Sequence, residues 1–133
     1  METYLFVYGS LLQGQSNHWV MNKYDINKRI GHIFETVNHY SLYGLKTGEY
    51  PFLVDDISLV VRLPSLHTSH CIGEVYSVTV DQLVELDLFE GDDYERKLVQ
   101  VRDKTNQHLL IANTYLATDS FRELILNSLN LST

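Results

Sequence analysis

The chain has 133 residues and a formal net charge of −7, a length that suits one domain and is short for two. The acidic balance argues against nucleic acid as a partner, because phosphate binding needs a concentrated basic surface. No segment reaches the ~18 apolar residues of a membrane span, so a membrane partner is not expected either. Cys71 is the only cysteine and can form no internal disulfide, which fits a reducing, cytoplasmic compartment.

Residues 3–17, TYLFVYGSLLQGQSN, begin as an apolar strand that breaks at a glycine. Alternate residues of a strand point to opposite faces, and here both faces are apolar, which is typical of a central strand. Gly9 lets the backbone turn sharply, and the free N–H groups of Gly9-Ser10-Leu11 form a natural pocket for an anion. The stretch therefore predicts a turn that holds a small carboxylate. The two faces of the strand would carry Tyr4, Phe6 and Tyr8 on one side and Leu5 and Val7 on the other.

The middle of the chain predicts one short helix and several strands. Ser16 or Asn17 can cap a helical piece over residues 18–24, with Trp19 and Val20 facing inward. Residues 29–45 are rich in β-branched and aromatic types and predict one long bent strand or two strands. Further strands are expected at 52–54, 57–62 and 71–78, with a turn at 48–51, a polar loop at 64–69 and a bulge or close backbone approach at Gly73.

A second helix is indicated more strongly than the first. Thr79 and Gln82 have the spacing of a capping box, although Asp81 is an alternative N-cap. Leucines and a phenylalanine recur at helical spacing and are expected to pack on the sheet. Gly91 ends the helix, as a glycine often does just past the last turn. The expected inward-facing residues are Leu83, Leu86 and Phe89.

The remaining chain predicts a hairpin and a last helix. Residues 94–102 alternate as a strand, residues 103–107 form a turn, and residues 108–117 return as the second arm. Thr118 or Asp119 can cap a final helix. The total is six or seven strands and two or three short helices, mostly antiparallel, which favours a small barrel or a strongly curved sheet. The inward side of the final helix would carry Phe121, Leu124, Ile125 and Leu129.

Glu90 is the candidate catalytic residue that physical arguments single out. It is the last residue before Gly91, and the C-terminal end of a helix carries partial negative charge, which disfavours a carboxylate there. Partial burial beside Phe89 would raise its pKa further, and a carboxylate with a raised pKa is a better general base near neutral pH. The alternative is an ordinary solvent-facing glutamate, as most glutamates are.

Three other patterns carry weaker signals. Gly9 to Ser16 reads G-x-x-x-x-G-Q-S, but Gln15 stands where a phosphate-binding loop needs its lysine, so nucleotide binding is rejected. The stretch 67–71, HTSHC, contains three soft ligands with no standard zinc spacing, and a polar loop leading into a strand is the better interpretation. The alternative carboxylates are Glu49, on an expected turn, and Glu74, on a strand where it can face either way.

Four segments in chain order resemble one known family. YLFVYGSLLQGQSNH resembles the opening of the γ-glutamylcyclotransferase-like (AIG2-like) proteins, with their Tyr-Gly-Ser/Thr-Leu turn after a first strand. GEYPFLV resembles their central G-x-Y-P segment. GEVYSV followed by LDLFEGDDYERKLVQV resembles their strand, their helix ending in Glu-Gly, and the Y-x-R strand that follows. The match runs from about Tyr4 to Tyr115 and looks nearest to the short γ-glutamylamine cyclotransferase type.

The resemblance implies an α+β fold, a small mixed, mostly antiparallel β-barrel with a cavity at one end. It implies that Glu90 is the general acid/base for cyclisation of a γ-glutamyl amine or peptide to 5-oxoproline, with release of the free amine. No metal or cofactor is implied, because the nucleophile is intramolecular. The residues that the resemblance places around the substrate are Tyr8, Gly9, Ser10 and Leu11, which would hold the glutamyl carboxylate, and the aromatic residues Tyr94 and Tyr115.

A second interpretation of the same cavity is a non-catalytic binding module for a small carboxylate metabolite. Both interpretations need the turn at Gly9, and only the enzyme needs an ionisable Glu90. The expected partner is a small γ-glutamyl molecule. The protein itself is expected to be a monomer or a weak homodimer.

Overall fold

The described residues form six β-strands and two α-helices, with a further helical start at residues 120–121. The structure is a computed structural model that describes residues 3–8, 18–43, 52–54, 69–118 and 120–121. The strands are β1 (Thr3–Val7), β2 (Lys28–Tyr43), β3 (Phe52–Val54), β4 (Ser69–Val78), β5 (Tyr94–Asp103) and β6 (Leu109–Ala117). The helices are α1 (Trp19–Lys23) and α2 (Val80–Glu90).

Five of the strands close into a mixed barrel. The ring runs β1–β4–β2–β5–β6 and returns to β1. β1 lies parallel to β6, with Leu5 opposite Asn113, and the other neighbours in the ring are antiparallel. β3 pairs antiparallel with the end of β2 and parallel with β6. The predicted small, mostly antiparallel barrel is confirmed.

β1 is the central strand that its two apolar faces predicted. Phe6 lies in a core built from strand residues alone, together with Phe34, Val75 and Val101, which is the interior of the barrel. Tyr4 and Tyr8, on the same face, are partly buried against that core. Residues of the opposite face, Leu5 and Val7, belong to a second core that lies between the barrel and the two helices. Its other members include Val20, Met21, Leu83 and Leu86.

β2 and β4 form an irregular pair at the wall of the barrel. Their register shifts twice, between Ile30 and Phe34 and again between Glu35 and His39. Such shifts bend a strand, which explains how the predicted long bent strand wraps around the barrel. In β4, a Cβ on Gly73 would lie 2.2 Å from the carbonyl oxygen of Val7. The predicted close backbone approach at this glycine is therefore confirmed.

Helix α2 begins and ends where the sequence predicted. The Thr79 side chain accepts a hydrogen bond from the Gln82 N–H at 3.1 Å, and the Gln82 side chain accepts one from the Thr79 N–H at 2.8 Å. This reciprocal capping box settles the N-cap as Thr79, with Asp81 in the first turn. Gly91 follows the helix with a φ of 75°, a conformation that glycine adopts without strain.

Two aromatic residues that were expected to face inward do not. Trp19 is 53% exposed and Phe89 is 38% exposed. Their rings pack edge to face on each other, with centroids 6.3 Å apart, so each covers part of the other outside the core. In α1 the buried residues are Val20 and Met21. The N-cap of this helix is His18, and its side chain makes no capping hydrogen bond.

The C-terminal hairpin is confirmed as β5 and β6, with a turn over residues 104–106. Ser120 and Phe121 are helical, in agreement with the predicted start of a last helix. The predicted cap of the first helix at Ser16 or Asn17 is wrong, because the N-cap is His18, and Ser69 of the predicted loop at 64–69 belongs to β4. Other expectations lie outside the described residues: the turn at 48–51, the strand at 57–62, the rest of that loop, and the rest of the last helix. Within the part of the chain that is described, no helix is long and apolar enough to cross a membrane.

Candidate active site

Strand pairing brings four of the predicted site residues to one end of the barrel. β1 and β6 run parallel with Leu5 opposite Asn113, so Tyr8 and Tyr115 come to the same end. The Tyr8 hydroxyl donates a hydrogen bond to the Tyr115 carbonyl oxygen at 2.5 Å. Tyr94 begins β5 opposite Ala117, the last residue of β6. Glu90 ends α2 four residues earlier, and the three-residue connection between the helix and β5 keeps it at this end.

The pKa of Glu90 is raised, and the cause is the burial that the sequence analysis named beside the helix end. Burial raises the pKa of its carboxyl to about 7, because a low-dielectric environment disfavours the charged form. No described residue donates a hydrogen bond or an ion pair to this carboxyl to offset the loss of solvation. Burial is therefore the cause of the raised pKa. At neutral pH the Glu90 carboxyl is close to half protonated, so it can both accept and donate a proton.

Tyr94 and Tyr115 flank Glu90 within electrostatic reach. Burial raises the pKa of both hydroxyls; for Tyr115 the hydrogen bond to Asp87 and its charge add to this, and the negative charge of Glu90 raises both further. For Tyr94 the Asp93 carboxylate adds to this effect. The Tyr94 ring packs edge to face on Phe121, with centroids 5.6 Å apart. Both tyrosines therefore stay protonated at neutral pH and provide aromatic walls with neutral hydroxyls.

The Tyr115 hydroxyl belongs to a polar network that the sequence did not single out. It donates a hydrogen bond to Asp87 Oδ1 at 2.6 Å. Asp87 in turn receives two hydrogen bonds from Arg96, Nε to Oδ1 at 2.9 Å and Nη2 to Oδ2 at 3.2 Å. Two signals for these residues were present in the sequence. Asp87 stands three positions before Glu90, which places the two on neighbouring helix positions, and Arg96 is the arginine of the Y-x-R stretch.

The predicted carboxylate turn is described only at its first residue. Tyr8 is partly buried and its ring stacks on Phe6 with centroids 6.4 Å apart. Gly9, Ser10 and Leu11 lie outside the described residues, so their expected role in holding a carboxylate stays a prediction.

Glu74, the alternative carboxylate among the described residues, forms an ion pair with Arg29. It is buried, and its Oε2 lies 2.9 Å from Arg29 Nη1. Its Oε1 accepts a hydrogen bond from the Tyr76 hydroxyl at 3.3 Å. Arg29 and Tyr76 also line a cavity of about 250 Å³ next to α1, together with His18, Asn22, Ile26 and Asn27.

The rejected metal site gains no support among the residues that can be tested. Burial raises the pKa of the Cys71 thiol to about 12, which keeps it protonated. His70 Nδ1 lies 2.8 Å from the Thr36 carbonyl oxygen. His67 lies outside the described residues. Over the described ranges, no group of three or more His, Cys, Asp or Glu side chains is placed to hold a metal ion.

The fold and the site together define a small closed barrel with a desolvated glutamate and aromatic walls at one end. A family model described as "Gamma-glutamyl cyclotransferase, AIG2-like" matches residues 5–129. The chain belongs to this family.

Relatives and a solved structure agree with this assignment. A protein from Vibrio cholerae is 38% identical over 102 residues, covering 75% of this chain and 74% of its own length. One from Methanocaldococcus jannaschii is 33% identical over 102 residues, covering 74% and 71%. Both carry the name "Putative gamma-glutamylcyclotransferase". The crystal structure of an AIG2-like protein from Mus musculus superimposes with a TM-score of 0.73 at 26% identity, over 94% of this chain and 82% of that one. The predicted family and fold are therefore confirmed.

Proposed function

We propose that this protein cyclises a γ-glutamyl amine or a short γ-glutamyl peptide to 5-oxoproline and releases the free amine. The observation that carries the proposal is the Glu90 carboxyl, whose pKa burial raises to about 7 at the end of the barrel. A group with this pKa can take up and return one proton at neutral pH with little cost in either direction.

In the proposed reaction, Glu90 accepts a proton from the substrate's α-amine. The amine nitrogen then attacks the γ-carbonyl carbon of the same glutamyl group, and a new C–N bond closes a five-membered lactam. The C–N bond to the leaving amine breaks, and Glu90 returns the proton to that amine. Atoms and charges balance with no other reactant, because the nucleophile and the electrophile belong to one molecule.

The remaining site residues bind and enclose the substrate in this proposal. The turn Gly9-Ser10-Leu11 would hold the glutamyl carboxylate through backbone N–H groups, as the family resemblance implies. Tyr8, Tyr94 and Tyr115 would form the aromatic wall. Because Tyr94 and Tyr115 have raised pKa values, their hydroxyls would stay neutral beside a bound anion.

The test is release of 5-oxoproline from a panel of γ-glutamyl amines and dipeptides. Glu90→Gln keeps the shape of the side chain and removes the base, so we expect a loss of roughly 10²-fold or more in kcat, the range for removing a general acid/base. Glu85→Gln is the matched control, because Glu85 is an exposed glutamate on the same helix. This variant should keep wild-type turnover.

Two results would contradict the proposal. Equal turnover by Glu90→Gln and the wild type would remove Glu90 as the base. No turnover by the wild type on any member of the panel, combined with binding of 5-oxoproline or glutamate in calorimetry, would favour a binding module that uses the same cavity.

A further inference from the structure

The hydroxyl of Tyr115 is held by a carboxylate that is itself held in place. Asp87 Oδ1 accepts from Tyr115 at 2.6 Å, and both Asp87 oxygens accept from the Arg96 guanidinium. A bidentate pair of this kind fixes the plane of the carboxylate as well as its distance. The Tyr115 hydroxyl therefore points toward α2 in one defined direction.

The network continues from Arg96 to the first strand. Arg96 Nη1 donates to Asn113 Oδ1 at 3.2 Å, and Asn113 Nδ2 donates to the carbonyl oxygen of Tyr4 at 3.2 Å. The Tyr115 carbonyl oxygen also accepts from the Tyr8 hydroxyl at 2.5 Å. One chain of hydrogen bonds thus connects α2 to β5, β6 and β1.

Glu90 lies on the helix turn that this network holds. Asp87 and Glu90 are three residues apart, which makes them neighbours on the helix surface. The Asp87 carbonyl also accepts the N–H of Gly91 at 3.1 Å, the bond that ends the helix. Movement of Asp87 would therefore move the last turn and the Glu90 carboxyl with it.

We propose that Asp87 and Arg96 are positioning residues that hold Tyr115 and the last turn of α2, and through them the Glu90 carboxyl, at the end of the barrel. This inference rests on the proposed function for its kinetic consequence only. Neither residue takes part in the proton transfer proposed for Glu90. Their role is to set the place and the charge environment of that carboxyl.

The pair also balances charge beside Glu90. Asp87 and Arg96 hold each other at 2.9 Å, so their effects on a third charge largely cancel, and burial is the cause of the raised Glu90 pKa. Removing one member leaves the other uncompensated, and an anion raises a neighbouring carboxyl pKa whereas a cation lowers it. Tyr94 and Tyr115 interact electrostatically with Glu90. The other ionisable groups to consider are near Glu90 in sequence or linked to Tyr94 or Tyr115: Asp87 on α2, Asp92 and Asp93 in the turn, and Arg96 on β5.

The pair is open enough to water for its removal to leave the fold intact. The side chains of Arg96 and Asp87 are 31% and 39% exposed. Ion pairs with this exposure contribute little to folding stability. Variants at both positions are therefore expected to fold, and a thermal unfolding curve for each one checks this first.

The decisive experiment titrates the Glu90 carboxyl directly by NMR in protein labelled with ¹³C at glutamate side chains. In Asp87→Asn the uncompensated Arg96 should lower the Glu90 pKa by about half a unit, and in Arg96→Gln the uncompensated Asp87 should raise it by about half a unit. The double variant should return near the wild-type value. Arg102→Gln is the matched control, because Arg102 is an arginine of the same strand paired with Glu35 at 3.0 Å, and it should shift nothing.

The titration separates the proposed role from simple loosening of the helix end. If the pair were only structural, both single variants would admit water and shift the Glu90 pKa in the same direction, toward its ordinary value. Shifts of the same sign, no shift in either variant, or an equal shift in Arg102→Gln would overturn the proposal.

Turnover provides the second readout. If the proposed function holds, the acid limb of kcat/KM should move with the NMR titration in each variant. Arg96→Lys keeps the cation but loses the bidentate geometry, so its Glu90 pKa should stay near wild type while kcat falls about tenfold from misplacement, with KM nearly unchanged. An unchanged kcat in Arg96→Lys would overturn positioning. A wild type without any turnover would contradict the proposed function, whereas the titration would still test the pair.

Discussion

Two glutamates in the described structure show how differently this fold treats the same side chain. Glu74, on β4, is buried with an arginine at 2.9 Å and a tyrosine hydroxyl at 3.3 Å. Glu90, at the end of α2, is partly buried with no donor among the described residues, and burial raises its pKa to about 7.

The difference shows that partners, more than depth, decide what a buried carboxylate does. A cation and a hydroxyl replace part of the hydration that Glu74 loses, so it can remain in place as a structural anion. Glu90 loses hydration without replacement and becomes a group that exchanges a proton near neutral pH. A search for catalytic carboxylates should therefore weigh missing partners as heavily as burial.

The largest expected difference between the two glutamates is in the pH dependence of turnover. If Glu90 acts as the base in its ionised form, kcat/KM should rise tenfold per pH unit up to about pH 7 and then level, because the pKa of Glu90 is raised to about 7. Activity should thus increase by roughly fiftyfold between pH 5 and pH 7. An acid limb centred near 4.5, the ordinary value, would contradict this.

Glu74→Gln should affect stability rather than the pH profile. It removes the carboxylate that lies against the Arg29 cation, at a cost of about 2 kcal/mol, a value reduced because the Arg29 side chain is 30% exposed. Urea unfolding at pH 7.5 measures this cost. The double variant Arg29→Met/Glu74→Gln should recover part of it, and a larger loss in the double variant than in the single one would contradict the interpretation.

The smallest expected effect is a gain of stability in Glu90→Gln. A folded-state pKa of about 7 against an ordinary 4.5 means that the native protein holds its proton more tightly than the unfolded chain does. Ionised Glu90 therefore destabilises the fold, by an amount that grows from pH 4.5 to pH 7 and then stays constant. The shift corresponds to about 3 kcal/mol at pH 8, and solvent screening of this partly buried carboxyl reduces the expected gain in unfolding free energy of Glu90→Gln to about 1–2 kcal/mol.

At pH 4 the wild type and Glu90→Gln should be equally stable, because Glu90 is then protonated in both the folded and unfolded states. Glu85→Gln, on the exposed side of the same helix, should show no such pH-dependent difference. A Glu90→Gln variant less stable than the wild type at pH 8 would show that the carboxylate is stabilised in the fold.

Local patterns predicted the elements that local forces determine. The ends of α2 follow from Thr79, Gln82 and Gly91, whose contacts lie within one helix turn. The central position of β1 follows from two apolar faces that no edge strand could expose. Glu90 was singled out as a candidate because a carboxylate just before a helix-ending glycine runs against the helix dipole, and its role stays a prediction.

Features that depend on distant neighbours were missed. Trp19 and Phe89 have the spacing of inward-facing residues, but their rings pack on each other outside the core and stay partly exposed. The side of the sheet to which the Glu74 side chain points depends on a strand register shifted by bulges, which no local sequence pattern encodes. Asp87 on α2 pairs with Arg96 on β5, nine residues later. This pairing depends on how the helix packs on the barrel, which the sequence alone does not give.

The parallel pairing of β1 with β6 determines when the barrel can close during synthesis of the chain. Leu5 pairs with Asn113, so the barrel cannot close until β6 has left the ribosome. At about 5–20 residues per second, the first strand waits on the order of ten seconds for that neighbour. Contacts between such distant residues form slowly. For the part of this interval that follows the synthesis of β4, pairing with β4 protects the apolar segment TYLFV from pairing with other chains.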